Sequence, residues 1–164
     1  MNTTVRSIAL GAGVALVIIA AAFGWQYFSR GSVERVVEEP YVNEEYRFSF
    51  VVPRGFVVWE AENIVVIEDG SGNGVQIVIT PLSENISVLT EERIKADITD
   101  LVVYQSKPVE IGGHTGLAFK SDNSAFDGAS YEIWFVFESQ LYQISTYKHL
   151  EPLTQTMVST WEFF

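Results

Sequence analysis

The chain contains no cysteine, and only two of its 164 residues are histidine. Without thiols it cannot form disulfides, thiolate metal sites, cysteine nucleophiles or a lipid anchor on an N-terminal cysteine. The two histidines, His114 and His149, have no metal-binding or nucleophile partners at a recognisable spacing, and we expect both in solvent-exposed turns. The sequence also lacks the motifs of a nucleophile elbow and of a phosphate-binding loop. It therefore predicts a protein that is not an enzyme and that holds no cofactor.

Basic residues are scarce relative to acidic ones. The chain has 10 Lys plus Arg against 21 Asp plus Glu, a formal net charge of −11. All the acidic residues follow Phe28, so the negative charge lies on the C-terminal part of the chain. A field of this sign repels phosphate backbones and anionic lipid headgroups. We therefore predict no nucleic-acid partner, and a C-terminal domain that stays off the bilayer surface.

One long apolar run lies near the N-terminus. From Ile8 to Phe28 there is no charged side chain, and these 21 residues span roughly 31 Å at a helical rise of about 1.5 Å, close to the thickness of a bilayer's hydrocarbon core. Arg6 and Arg30 flank the run with charges that cannot enter that core. The sequence thus predicts a single transmembrane helix with the bilayer as its partner. The residues expected to anchor it are Ile8, Leu16, Ile19, Phe23, Trp25, Tyr27 and Phe28.

This helix organises the rest of the chain, which we predict to lie at the cell membrane with its large domain outside the cytoplasm. The predicted parts are a short tail (1–7), the transmembrane helix (8–28), a tether (29–40) and a globular domain (41–164). An alternative is a signal peptide cleaved after Ala22, which leaves a secreted or periplasmic soluble domain. The small residues Gly13, Ala20 and Gly24 lie on one helical face. They indicate either a weak homodimer of membrane helices or the ordinary composition of such helices.

The domain combines strand patterns with two helical patterns. Strands are expected at residues 46–50, 56–60, 63–68, 75–79, 108–111, 116–121, 131–137 and 141–147. Thr90 is a plausible helix N-cap, and Ile94, Ile98, Leu101 and Val102 then follow on one apolar face. A second, closing helix is expected to begin near Pro152 and to run into the extended residues 161–164. The pattern predicts an α+β domain with a mainly antiparallel sheet flanked by one central and one C-terminal helix.

The order of these elements resembles the PsbP-like domains (Mog1/PsbP fold) of bacterial single-pass membrane proteins. The resemblance depends on an aromatic opening strand that ends in Pro-x-Gly (46–55), the Gly-Gly turn at Gly112, a long aromatic hairpin and the closing segment Ser159 to Phe163. It covers nearly all of the predicted domain. Such domains often follow a single membrane helix and share a sheet flanked by helices without a common catalytic set. The resemblance therefore implies a fold and leaves the function open.

Two acidic loops carry the oxygen ligands that Ca²⁺ prefers, but neither has the register of an EF-hand. One contains Glu68, Asp69 and Asn73, and the other contains Asp122 and Asp127, which are the weak candidate metal ligands. Asp and Asn are also common in tight turns, which is the favoured interpretation. The leading hypothesis is a non-catalytic, membrane-anchored module that binds a protein partner or packs into an envelope assembly. The alternative is a sensor of a small ligand or of Ca²⁺.

Overall fold

The computed structural model describes residues 40–98 and 100–164. The predicted transmembrane helix, its anchor residues, the small-residue face and almost all of the tether lie outside these residues. Within the part of the chain that is described, no helix is long and apolar enough to cross a bilayer.

Ten strands, two α-helices and two short 3₁₀ turns make up the described domain. The strands are β1 Pro40–Asn43, β2 Phe48–Val51, β3 Val57–Ala61, β4 Ile64–Glu68, β5 Gly74–Pro81, β6 Val103–Ile111, β7 His114–Ser121, β8 Ser130–Phe137, β9 Gln140–Tyr147 and β10 Glu162–Phe163. The helices are α1 Glu91–Asp97 and α2 Glu151–Val158, and the 3₁₀ turns are Ser124–Phe126 and Lys148–Leu150.

The strands form two sheets in which every pairing is antiparallel. Seven strands follow the order β3-β4-β5-β9-β8-β7-β6, and three follow the order β1-β2-β10. Sequence neighbours pair as hairpins within each half of the large sheet, and β5 joins the halves by pairing with β9, with Ile77 opposite Ile144. The mainly antiparallel α+β prediction is therefore confirmed for the described domain. The separate small sheet was not predicted.

The main core lies between one face of the large sheet and a layer made by the small sheet and α2. Phe48 and Phe50, from the predicted aromatic strand, have no exposed surface and pack against the isoleucines of β5, β8 and β9. Trp161 stacks on Phe48 with ring centroids 4.5 Å apart. Burying an aromatic side chain of this size stabilises the fold by about 1.5–3 kcal/mol. The core thus fastens both ends of the domain to the centre of the sheet.

The opposite face of the large sheet is covered by α1 and the segments before and after it. Leu89 and Ile94 pack there against Phe119, Trp134 and neighbouring apolar side chains. The Oγ of Thr90 accepts a hydrogen bond from the backbone N–H of Arg93, 3.3 Å away, so the predicted N-cap is confirmed. Both faces of the central strands are therefore buried.

The predicted C-terminal extension of α1 is wrong. The helix ends at Asp97, with Ile98 as its cap, and Val102 is 50% exposed. The backbone N–H of Val102 donates to Asp122, and Val103 begins β6 by pairing with Ser121. Pairing with β7 therefore overrides the helical periodicity, and β6 begins well before its predicted start.

The predicted exposed turn at His114 is also wrong. The turn consists of Gly112 and Gly113, and His114 is the first residue of β7, paired with Ile111. The imidazole is partly buried, 4.7 Å from the ring of Phe137 and edge-on to it. This histidine therefore belongs to the aromatic packing at the end of the sheet.

Candidate functional site

An open groove of about 580 Å³ lies at the end of β9. Three segments far apart in sequence line it: the β4–β5 turn at residues 71–73, the loop from Phe126 to Ala129, and residues 147–149 after β9. The pairing of β5 with β9, and of β8 with β9, brings the ends of these strands to one edge of the sheet. The groove is therefore a product of the sheet topology.

One carboxylate, that of Asp69, fixes the conformation of the β4–β5 turn. Asp69 accepts hydrogen bonds from the backbone N–H of Ser71 (2.8 Å), the backbone N–H of Asn73 (3.2 Å) and the side-chain amide of Asn73 (2.7 Å). These bonds, with the Asn73 side chain first, hold the pKa of Asp69 below its usual value. The other side of the same amide, Oδ1 of Asn73, lies 2.9 Å from Nε2 of His149. The turn thus orients His149, whose predicted exposure is confirmed.

Aromatic rings and charged side chains share the groove. Phe126 packs edge-on against Tyr147 at 5.3 Å, and Tyr147 lies 5.6 Å from the ring of His149. Asp127 and Lys148, both exposed, also line the groove. This combination suits a ligand that offers an apolar side chain together with polar or charged groups.

Behind the groove, a carboxylate is buried at the centre of the large sheet. Glu132 of β8 lies on the same face of its strand as Trp134 and is 1% exposed. Four side chains donate to it: Ser130 at 2.6 Å, Ser145, Trp134 at 3.3 Å and Asn123 at 3.4 Å. Burial raises the pKa of Glu132, and the four donors, which lower that pKa, do not fully offset the loss of water.

A small, partly open cavity of about 30 Å³ adjoins this carboxylate. Its polar lining includes Gln76 and Gln143, and its apolar lining includes Ile98, Leu101 and Phe126. Gln143 is 4% exposed, and its Oε1 atom has no hydrogen-bond partner. Such a volume holds one or two water-sized groups.

Sequence reasoning did not find this buried cluster. Glu132 occupies a polar position in an alternating strand, which is the ordinary pattern of a solvent-facing residue. A signal was nevertheless present, because Trp134 and Val136 share the same face of β8 and are both about 5% exposed. Two large apolar neighbours at spacing two indicate that this face, too, is covered.

Asp122 and Asp127, the two weak metal candidates, have different roles in the structure. Oδ1 of Asp122 accepts a hydrogen bond from the backbone of Val102 at 3.1 Å, whereas Asp127 lines the groove. The carboxylate of Asp69, from the other acidic loop, accepts hydrogen bonds from Ser71 and Asn73 of its own turn. In residues 40–98 and 100–164, no three His, Cys, Asp or Glu side chains gather in a metal-binding arrangement.

Comparison with known proteins identifies the fold. No protein-family model matches the chain, and no curated protein sequence matches it. The solution structure of cyanobacterial PsbP (CyanoP) from Synechocystis sp. PCC 6803 is similar, with a TM-score of 0.53 and 12% identity, over 84% of this chain and 99% of that one. A crystal structure from Bacteroides thetaiotaomicron VPI-5482 is similar with a TM-score of 0.50 and 10% identity, over 77% of this chain and 48% of that one. The fold is therefore PsbP-like, as the resemblance in the sequence implied.

Proposed function

We propose that the protein is a membrane-tethered, non-catalytic module that binds a protein partner outside the cytoplasm through the groove at the end of β9. The observation that carries the proposal is the groove itself, with its volume of about 580 Å³, its aromatic rings and its charged side chains. Protein interfaces place aromatic side chains at their centre and polar groups at their rim. A PsbP-like fold is consistent with a non-catalytic role.

The charge of the domain favours a particular kind of partner. From Pro40 onward the chain has 18 acidic and seven basic residues, yet Lys148 lies in the groove beside His149. A segment with an aromatic or aliphatic side chain next to a carboxylate would complement the rings and the ammonium group of Lys148. Such a segment would meet less repulsion here than on the acidic remainder of the surface.

The tether part of the proposal comes from the sequence. The apolar segment from Ile8 to Phe28 has the length of a spanning helix, and β1 begins at Pro40, only 12 residues after that segment ends. The domain would thus lie close to the membrane, where its partner must also be found. Tethering raises the effective concentration of such a partner without any additional contact.

Site-directed photocrosslinking in intact cells tests the groove. A photoreactive amino acid replaces Ser71 or Lys148, which both line the groove, and a control probe replaces Ala96, which is exposed on α1. We expect the two groove probes to give an adduct with the same protein and the control probe to give none. The adduct from Ser71 should be lost in Lys148→Glu and kept in Lys107→Glu, a matched charge reversal on the exposed edge strand β6.

Two outcomes would reject the groove as the interface. One is an adduct of equal yield from Ala96, which would indicate contact without a preferred face. The other is a Ser71 adduct that survives Lys148→Glu unchanged. Circular dichroism of each variant confirms that the fold is retained.

A further inference from the structure

The face of the large sheet under α1 is polar at its centre, although it is covered. Glu132 on β8 lies opposite Ser145 on β9, and Ser145 lies opposite Gln76 on β5. Gln143 occupies the next position on the same face of β9. Burying polar side chains costs free energy unless their hydrogen bonds are made, so apolar residues would be less costly at these positions. A polar patch here requires a reason other than packing.

The atom of this patch that lacks a hydrogen-bond partner is an acceptor. Oε1 of Gln143 has no partner, although the side chain is 96% buried. Two of the four bonds to Glu132, from Trp134 and Asn123, are long at 3.3 and 3.4 Å. An unpaired buried acceptor carries its full desolvation cost. Both side chains line the same cavity, which is therefore suited to a group that donates hydrogen bonds.

The charge and size of the cavity restrict the kind of hydrogen-bond donor that it can hold. Among the described residues that line it, Glu132 is the only ionisable one, and Ile98 and Leu101 close the cavity on the side of α1. A volume of about 30 Å³ admits a group of one or two water-sized atoms. A water molecule can donate to Gln143, but only a cationic donor also supplies a countercharge to Glu132 when that carboxyl is ionised.

We propose that this cavity binds a small ammonium-type group, either the ammonium ion or the head of a primary amine. Its N–H groups donate to Oε1 of Gln143 and to the carboxylate of Glu132, and its positive charge pairs with that carboxylate in a site of low dielectric constant. Phe126 lines both the cavity and the groove. The site is independent of the protein partner proposed for the groove, and either proposal can fail alone.

Thermal unfolding of the full chain in detergent tests the proposal. Ammonium chloride and methylammonium chloride are compared with sodium chloride and tetramethylammonium chloride at equal ionic strength. We expect a saturable rise of the unfolding midpoint, roughly 3–6 °C at tenfold the dissociation constant, with the first two salts only. Tetramethylammonium, which has no N–H and is too large, serves as the negative control.

Variants assign the response to the cavity. Glu132→Gln removes the charge and Gln143→Met removes the free acceptor, and we expect each to abolish the ammonium-specific rise. Glu84→Gln removes an exposed carboxylate paired with Arg93 and should keep the rise. If a cavity variant does not fold, [¹⁵N]ammonium NMR on the unaltered protein replaces it, with an expected slowly exchanging ammonium resonance that shows a nuclear Overhauser effect to the indole N–H of Trp134.

Three results would overturn the proposal. The first is an equal midpoint in ammonium and sodium salts for the unaltered protein. The second is a folded Glu132→Gln variant that responds as the unaltered protein does. The third is an NMR spectrum in which the indole N–H of Trp134 contacts water alone, which would make the cavity a hydration site. None of these results bears on crosslinking from the groove.

Discussion

The carboxylate of Glu132 makes the stability of the domain depend on pH in an unusual direction. Because burial raises its pKa, the folded state holds the proton more tightly than the unfolded chain does. Its contribution to stability is therefore fully present below the unfolded pKa, about 4.3, and is lost as the pH rises through the folded pKa. We expect the free energy of unfolding of the unaltered protein, minus that of Glu132→Gln, to fall over this window and then to level off. Urea titrations at a series of pH values in sodium buffers measure this difference.

Other carboxylates change the free energy of unfolding with pH in the opposite direction. The unaltered protein is therefore compared with a variant that differs only at Glu132. Hydrogen bonds from Asn73 lower the pKa of Asp69, and Lys95 lowers the pKa of Glu91, so both favour the folded state at higher pH. Both groups are present in either protein, and their effects cancel in the difference. A flat difference for Glu132→Gln, or one that rises with pH, would contradict the account of Glu132.

At the scale of single residues, the sequence predicts side chains well where one pattern decides their surroundings. Phe48 and Phe50 are buried as their alternation predicts, and His149 is exposed. The exposure predicted for His114 was wrong and the burial of Glu132 was not predicted, because the surroundings of both residues come from elements distant in sequence. Ile98 and Leu101, which follow α1, line the cavity beside Glu132, and the ring of Phe163, 5.4 Å from that of His114, helps to enclose the histidine. Alternation reports which residues share a face of a strand, but not whether another element covers that face.

At the scale of elements, boundaries that a local sequence pattern determines were predicted correctly, and boundaries that depend on a distant partner were not. Strands β8 and β9 lie within one residue of their predicted ends, because apolar residues and turn signals bound them clearly. Strand β6 was predicted too short, since its first half is polar and exposed along the edge of the sheet. A bulge between Tyr104 and Lys107 interrupts its alternation. Only the pairing partner β7 specifies such a strand, and pairing cannot be read from β6 alone.

The C-terminal segment from α2 to β10 joins the small sheet to the large one, and Trp161 is its main contact. This indole is 3% exposed, stacks on Phe48 and Phe50, and meets Phe135 edge-on. We expect Trp161→Ala to lower the free energy of unfolding by about 3–5 kcal/mol, the usual cost of removing a large buried aromatic side chain. Chemical denaturation followed by circular dichroism measures the change.

A second substitution at the same position separates the stabilisation by ring stacking from the cost of the unpaired indole N–H. The indole N–H of Trp161 is buried and has no hydrogen-bond partner. Trp161→Phe keeps an aromatic ring and removes this unpaired donor, so we expect a loss well below that of Trp161→Ala. Equal losses for the two variants would show that ring stacking does not hold the segment in place.

At the scale of the whole molecule, both halves of the domain meet at the pairing of β5 with β9. Every site considered above depends on that junction: the groove lies at its end, and Gln76 and Gln143 lie on the face beneath α1. The sequence predicts the strands on either side, but their order in the sheet follows from the pairing of residues 59 to 71 positions apart. The fold class and most elements were therefore predictable from the sequence, whereas neither the groove nor the cavity was.

The fate of the N-terminal segment decides whether the whole molecule is tethered. Leu16 lies near the middle of the predicted spanning segment, where an arginine costs about 2.5–3.5 kcal/mol of insertion free energy. We expect the unaltered protein to sediment with membranes and Leu16→Arg to do so markedly less, whereas Thr4→Arg, in the predicted tail, should leave the distribution unchanged. Intact-mass spectrometry of the purified protein provides the decisive reading. A chain that retains residues 1–22 supports the tether. A chain that begins at Phe23 and stays in the soluble fraction would show instead that the segment is a cleaved signal peptide.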